Sequence, residues 1–410
     1  MKNIKTMLYL FVWTMIVFVL QKVFFILFTY PINFSWANVF PIIQHGLKLD
    51  IAVTSYVLIL PWLILLTDTI KPNKYTSKVL SIYFSIIALI MAICFVADAA
   101  LYPFWQFKLD SSIFIYTDKP KDAFASVSVG YILWRILLII IWTLIIVYGA
   151  LKSLKRGYIP ITHKKTAYIV FVLLAPIMFL FIRGGIGEGT NNVSSAYYSN
   201  DQYLNHSAVN PVFNFIYSLG KEENFAKQYN FFDEKELLNI TKGMYYTDSR
   251  NTHKILNTDK PNILFIIWEG CSEQFVGALG GDSDVCPEFD KLSKEGLLFT
   301  NFYSNTYRTD RGLVCFNAGW LGLTCHSLMK ISKKSEKLPS LTKELNKQGY
   351  KTTFWYGGDI SFTNMGGYML SSGFEDVISD KDFTVKERNS KWGVDDQTLF
   401  KQLYKKIVTQ

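Results

Sequence analysis

Five long apolar runs, all within the first 183 residues, constrain the fold of this chain more than any other feature. They are approximately Met7–Phe28, Ile51–Leu66, Leu80–Leu101, Tyr131–Leu151 and Ala167–Ile182. A helix needs about 20 predominantly apolar residues to cross the hydrocarbon core of a bilayer. Inside that core every backbone N–H and C=O must be paired within the protein, which a helix achieves by itself. The runs therefore predict five spanning helices. The second is short and contains Pro61, which leaves its ends open. The first has too long an apolar core for a signal peptide and no small-residue cleavage site behind it, so it reads as an uncleaved helix.

The remaining composition fits this division. The chain is 50% hydrophobic and only 18% charged, with a mean hydropathy of +0.18, too apolar on average for a soluble domain. From Gly184 onward it reads like an ordinary globular domain. The net charge of +9 lies largely in loops between apolar runs and comes with no recognisable nucleic-acid module, so no nucleic-acid partner is expected. Its distribution follows the positive-inside rule. Lys2 and Lys5 precede the first span, Lys71, Lys74 and Lys78 follow the second, and Lys152, Lys155, Arg156, Lys164 and Lys165 separate the fourth from the fifth. On the opposite side Lys48 is balanced by Asp50, and Lys108, Lys119 and Lys121 are mixed with Asp110, Asp118 and Asp122. This predicts a cytoplasmic N-terminus and an extracytoplasmic location for everything after Gly184. Arg135, near the start of the fourth span, is expected to snorkel to the outer interface, and the aromatic loop Tyr102–Val129 to lie along it.

Three regions follow: a five-helix membrane domain at 1–183, a linker with short amphipathic helices at 184–258, and an α/β domain from 259 to 410. Gly184-Gly185-Ile186-Gly187-Glu188-Gly189 follows a membrane helix rather than a soluble strand, and no Lys-Ser/Thr pair closes it, so it reads as an exit linker and not a phosphate loop. Val212–Leu219 and Glu234–Met244 have the pattern of short helices that dock on the membrane surface or the domain flank. Beyond Pro261, strand and helix patterns alternate, which argues for a layered α/β fold with a largely parallel sheet. Strands are expected at Asn262–Trp268, Leu298–Tyr303 and Tyr350–Trp355. Helices are expected at Pro287–Glu295, from Thr309 to about Trp320, at Pro339–Gln348, and from an Asp395 or Asp396 cap to about Lys406. Of the five cysteines, Cys94 reads as a small hydrophobe. The other four match no zinc spacing; Cys315–Cys325 is a plausible local disulfide, with free buried thiols as the alternative.

The chemistry-bearing stretch is Pro261–Arg311. An apolar strand ending on Glu269 presents a carboxylate where open parallel sheets bind their ligands. Thr309 is a hydroxyl flanked by Arg308 and Arg311 at a helix start, where free N–H groups and the dipole favour an anionic ester. A hydroxyl is a poor nucleophile until a base or a metal takes its proton. Glu269 can bind a divalent cation that does so, and the two guanidiniums match phosphate geometry. On residues alone a second reading stays open, in which Thr309 is only an N-cap and the arginines are surface charges paired with Asp310.

The chain also resembles the lipoteichoic acid synthase, or phosphoglycerol transferase, branch of the alkaline phosphatase/sulfatase superfamily. The resemblance rests on Pro261-Asn262-Ile263-Leu264-Phe265-Ile266-Ile267-Trp268-Glu269, Asn301-Phe302-Tyr303, Arg308-Thr309-Asp310-Arg311-Gly312, Gly349-Tyr350 and Phe354-Trp355-Tyr356-Gly357-Gly358-Asp359, behind five N-terminal spans. It implies a multi-pass helical membrane domain in a bacterial cytoplasmic membrane, carrying an extracytoplasmic domain of alkaline phosphatase/sulfatase type. It implies Glu269 as a metal ligand and Thr309 as both ligand and covalent nucleophile. The divalent ion is expected to be manganese, with magnesium or zinc as the other candidates. A phosphoglycerol-type group would pass from a phospholipid donor to an envelope glycan or lipid acceptor.

Two departures qualify these expectations. The family completes its metal site with a downstream Asp-His pair, and no such pair follows Asp359; the last histidine is His326, read as a packing or surface residue. The chain is therefore expected to be a truncated product or a piece of a longer enzyme, and inactive as it stands if those ligands are indispensable. In Ser361-Phe362-Thr363-Asn364-Met365, Thr363 and Met365 occupy places where teichoic-acid synthases tend to carry Trp and Arg. That keeps a sulfatase, a phosphoethanolamine transferase or a catalytically silent membrane module as alternatives. A transporter reading accounts for the spans but not for the domain behind them.

Overall fold

The computed structural model describes residues 2–111, 113–114, 128–156, 164–187, 189–219, 230–243, 254–323, 326–390 and 392–409. Five helices open the chain: α1 (Lys2–Thr29), α2 (Val39–Ile70), α3 (Thr76–Trp105), α4 (Val129–Arg156) and α5 (Lys164–Arg183). Each contains a stretch long and apolar enough to cross a membrane. Val17, Phe18, Ile42, Leu49, Ala52, Leu80, Ala88 and Phe95 are among the side chains buried between them. The opposite faces carry exposed Leu, Ile, Phe and Trp, such as Leu63, Ile86, Leu133 and Phe179. Apolar side chains on the outside as well as the inside are what a bundle solvated by lipid requires.

The second helix departs from its expected bounds. It runs 32 residues rather than Ile51–Leu66, continues unbroken through Pro61, and carries His45, Lys48 and Asp50 on its first turns rather than on a loop. Hydropathy missed this part because the charges are satisfied by protein. Asp50 is fully buried, with both carboxylate oxygens 2.6 Å from Lys22 Nζ on α1. The Arg135 guanidinium lies over the rings of Tyr131 and Phe28 and donates to the Tyr131 hydroxyl. Half of the expected interfacial loop, residues 112 and 115–127, lies outside the described residues.

The chain divides into two compact units, Met1–Glu222 with Asp310–Gln410, and Glu223–Thr309. In the first unit two short helices follow the bundle, α6 (Gln202–Ala208) and α7 (Pro211–Ser218). Asp201 caps α6, and Asn210 caps α7 through the N–H groups of Val212 and Phe213. The first turn of α7 is buried on the bundle, where Asn214 donates to the Leu109 carbonyl.

In the second unit lie α8 (Glu234–Thr241) and α9 (Pro287–Leu292). The expected strands Asn262–Trp268 and Leu298–Tyr303 do not form: neither stretch has a ladder partner among the described residues, and the side chains from Ile263 to Trp268 are all exposed. An apolar run records what a segment must cover; a strand also needs backbone partners from elsewhere, which a local pattern does not specify.

The rest of the first unit comprises α10 (Thr309–Ala318) from its second residue onward, α11 (Ser332–Ser335), α12 (Leu341–Lys347), β1 (Thr353–Trp355), α13 (Met365–Ser371), β2 (Asp376–Ile378) and α14 (Asp396–Val408). The two strands pair in parallel, Thr353 with Asp376, Phe354 with Val377 and Trp355 with Ile378, so β1, α13 and β2 form one β-α-β step. Helix starts behave as their sequence demands: Ser340 accepts from Lys343 N, and Asp395 from Thr398 N. Cys315 lies half-buried on α10, and Cys325, its expected disulfide partner, is outside the described residues.

Candidate active site

Thr309 opens α10, half-buried, with Arg308 exposed before it. The next two residues are buried, Asp310 at 4% exposure and Arg311 at 8%. The turn is anchored twice: Lys330 Nζ lies 3.3 Å from Asp310 Oδ2, and the Ser327 hydroxyl donates to the Asp310 carbonyl at 3.0 Å. Further along, Asn317 Oδ1 accepts from the Thr342 hydroxyl at 2.7 Å, fixing α10 to the head of α12. Thr309 therefore stands at the start of a ten-residue helix whose first turn is held in place.

Glu269 ends the extended run 262–268, and Gly270 follows with φ +73°, a left-handed backbone that favours glycine and turns the chain sharply after the carboxylate. Glu269 is exposed, and no hydrogen bond joins it to Thr309 among the described residues. Those residues also contain no group of three His, Cys, Asp or Glu side chains placed to hold a metal ion. Glu269 and Thr309 offer two hard oxygen donors, fewer than the full set a divalent cation takes, so a site built on them needs donors from elsewhere. His326 is half-buried on the segment just before Ser327.

The structure draws together residues that the sequence left scattered. Asp359, at the end of the Phe354–Asp359 motif, is gripped by the linker: Gly189 N donates to Oδ2 at 2.9 Å, while Ser361 N and Oγ donate to Oδ1 at 2.9 and 2.6 Å. Asn192 Nδ2 in turn donates to the Ser361 carbonyl at 2.8 Å. Burial pushes the Asp359 carboxyl up, but the Ser361 hydroxyl and the two N–H groups outweigh it and hold it below the usual carboxylate range. Beside it the turn Thr363–Asn364 has two successive left-handed residues, φ +54° and +69°, costly for a β-branched threonine. Buried Asn364 fixes that geometry by donating to the Met329 carbonyl at 2.7 Å. Met365, which stands where the teichoic-acid synthases tend to carry an arginine, is a core side chain at 2% exposure.

This turn borders a pocket of about 220 Å3 lined by Tyr356, Asp359, Phe362, Asp380, Arg388 and Trp392, with Ile186 and Gly187 of the linker. Sequence reasoning named Asp359 and missed Asp380, Arg388 and Trp392. Their only signal was polar and aromatic density in 380–393, with nothing to say that it folds back on the Gly-Gly-Asp turn.

Residues 261–410 match the protein family model described as Sulfatase. The segment is of sulfatase type. A solved structure from Vibrio parahaemolyticus, described as a protein in the alkaline phosphatase superfamily, shares 32% identity over 34% of this chain and 34% of its own, with a TM-score of 0.32. The chain thus spans about a third of that protein's length. The architecture is five apolar helices followed by a domain of sulfatase/alkaline phosphatase type.

Proposed function

We propose that this protein is a membrane-anchored transferase that moves a phosphoglycerol-type group from a phospholipid to an envelope acceptor, with Thr309 as nucleophile. One observation carries the reading: a sulfatase-type segment holds a threonine at the start of an anchored helix, between two arginines, in a chain with five membrane-type helices. In this scheme Thr309 Oγ bonds to the donor's phosphorus as the lipid alkoxide leaves. An acceptor hydroxyl then takes the group and restores the threonine. Arg308 and Arg311 would neutralise the non-bridging oxygens. Glu269 would be a ligand of the divalent ion that activates the hydroxyl, manganese foremost. The basic loops support a cytoplasmic N-terminus, with the chemistry then on the other side of a bacterial cytoplasmic membrane.

The test is transfer from head-group-labelled phosphatidylglycerol by the protein in proteoliposomes. T309A and E269A are each expected to lower turnover by at least 100-fold, since each removes a group without which the hydroxyl does not react. Unchanged turnover in both overturns the reading. The absence of a three-ligand group among the described residues favours a second reading, a catalytically silent membrane module. Micromolar manganese binding by the 410-residue chain counts against it, and no measurable binding supports it.

A further inference from the structure

Two cysteines of the second unit stand where the chain doubles back on itself. Cys271 is exposed and Cys286 half-buried, and residues 272–285 between them fold into a closed loop. Two short helical turns, Glu273–Phe275 and Gly277–Leu279, flank Val276, which is 2% exposed. The returning chain is bonded to the outgoing one. Gly281 N donates to the Val276 carbonyl at 3.0 Å, and Asp282 N to the Gln274 carbonyl at 2.9 Å. Asp290 Oδ1 accepts from Ala278 N at 2.8 Å, which holds α9 against the loop.

These contacts nest one inside the next. Gln274 meets Asp282 on the inside. On the outside the rings of Trp268 and Phe289 meet with centroids 6.1 Å apart. Three positions inward from Trp268 is Cys271, and three inward from Phe289 is Cys286. The two sulfurs are near enough to act on each other: burial, and then the Cys286 charge, push the Cys271 thiol up. No third His, Cys, Asp or Glu is placed with the pair among the described residues, so it does not make a zinc site.

We propose that Cys271 and Cys286 form a disulfide that closes loop 272–285 directly behind the Glu269 turn. In cells this bond needs the extracytoplasmic placement proposed above, since disulfides persist in oxidising compartments. It forms by thiol–disulfide exchange. The exposed Cys271 thiolate attacks one sulfur of an acceptor disulfide, that of an oxidising protein or of oxidised glutathione, and the first acceptor thiolate leaves. The Cys286 thiolate then attacks Cys271 Sγ in the mixed disulfide and expels the second. The chain gives up two protons and two electrons, and the acceptor is reduced to two thiols. Cys271 follows Gly270, whose left-handed backbone turns the chain after Glu269, so the bond limits how far that turn can open.

The experiment uses the full chain, its thiols blocked with iodoacetamide in two arms: in membranes at harvest, and in detergent after equilibration with oxidised glutathione. Trypsin leaves both cysteines on one peptide, because no Lys or Arg lies between them, and cleavage after Glu273 then parts them. The expected result in both arms is an unalkylated peptide lighter by two hydrogens than its thiol form, with halves that separate only on reduction. C286S leaves Cys271 fully alkylated; serine is a good residue at a helix start, so this variant keeps α9. Linkage in detergent but not in membranes keeps the pair and counts against the extracytoplasmic placement. Two alkylated thiols in both arms, or either cysteine joined instead to Cys315, Cys325 or a second chain, overturns the pair. T309A keeps the linkage whatever it does to transfer, so failure of the transferase reading and failure of this pair are distinguishable.

Discussion

His206 and Glu336 face each other in a buried contact, the imidazole Nε2 lying 3.1 Å from Glu336 Oε2. His206 belongs to α6 beside the membrane bundle, and Glu336 follows α11 in the sulfatase-type segment. The contact is enclosed by two phenols: Tyr102 OH lies 3.0 Å from His206 Nδ1, and Tyr197 OH donates to Glu336 Oε1 at 2.6 Å. Burial, reinforced by the Glu336 charge, pushes the Tyr197 phenol well up, so it stays a neutral donor. Nearby, Lys333 pairs with Asp110 at 2.9 Å and lies over the Trp105 ring. Residues 310–410 are thus fastened to the bundle in part through a small polar cluster.

Removing Glu336 therefore strands two buried groups at once. E336A is expected to cost about 3 kcal/mol, since each buried polar group left unpaired costs about 1–3 kcal/mol. H206A added to E336A costs less than the sum of the single losses, because the two residues share one network. Thermal unfolding of the full chain in detergent gives all three values. Strictly additive losses would show that the contact carries no coupling.

The pair Lys22–Asp50 makes a different prediction because it is entirely shielded, with both side chains at 0% exposure. Gly46 makes room for it: a Cβ there would meet Lys22 Cε at 2.2 Å and the Ala208 carbonyl oxygen at 2.4 Å. Asn210 Nδ2 gives Asp50 Oδ1 a further bond at 2.9 Å, tying the cap of α7 to the pair. K22M is expected to cost about 3–5 kcal/mol by leaving a buried carboxylate uncompensated. K22M/D50L recovers most of that loss, because charge and countercharge leave together. A double variant no more stable than K22M, read by thermal unfolding, contradicts this.

Asp359 sets an acid limit on the linker junction. Its carboxyl is held below the usual range in the folded chain, whereas in the unfolded chain it titrates near 3.9. Its contribution is therefore present above about pH 4 and is lost as pH falls through the lower folded value. D359N removes that acid dependence and costs about 1–2 kcal/mol at neutral pH, the scale of charge-assisted bonds at a half-exposed site. Unfolding curves for both proteins between pH 3 and 7 check it: the difference shrinks toward the acid end. A constant difference rules the mechanism out.

The parts of this chain that were legible in sequence are those whose information is local. Five apolar runs gave five helices, and Asp395 and Ser340 marked helix starts because a cap bonds only a few residues ahead. Thr309 at the head of a helix was legible for the same reason. What stayed hidden depends on distant partners. Lys22 lies within the first apolar run and is accounted for only by Asp50, 28 residues on, and Glu336 carries no local signal of its contact with His206. The run Ile263–Trp268 shows the converse, since its apolar pattern is plain while its ladder partners are not local. Asp380, Arg388 and Trp392 escaped notice because a pocket is formed by return of the chain, not by spacing.

Gly149 on α4 offers a test in which two effects oppose each other. In a helix interior alanine is favoured over glycine by about 1 kcal/mol, so G149A would be stabilising on propensity alone. The structure argues the reverse. A Cβ at Gly149 would lie 1.9 Å from Trp13 Cε2 and 2.3 Å from Cδ2 and Cζ2, so the indole must move. That ring is not free to do so cheaply, because Trp13 Nε1 donates to the Ile146 carbonyl at 3.2 Å one turn away on the same helix. Overpacking of this kind costs about 1–3 kcal/mol, and the bond to Ile146 adds roughly 1 kcal/mol if it breaks. G149A is therefore expected to be destabilising by about 1–2 kcal/mol net. Pairing it with Trp13→Leu should restore stability above that of Trp13→Leu alone, because the propensity gain is then unopposed. Thermal unfolding of the three variants decides the point, and a stabilised single G149A would mean that α1 and α4 pack more loosely than the Trp13 contact implies.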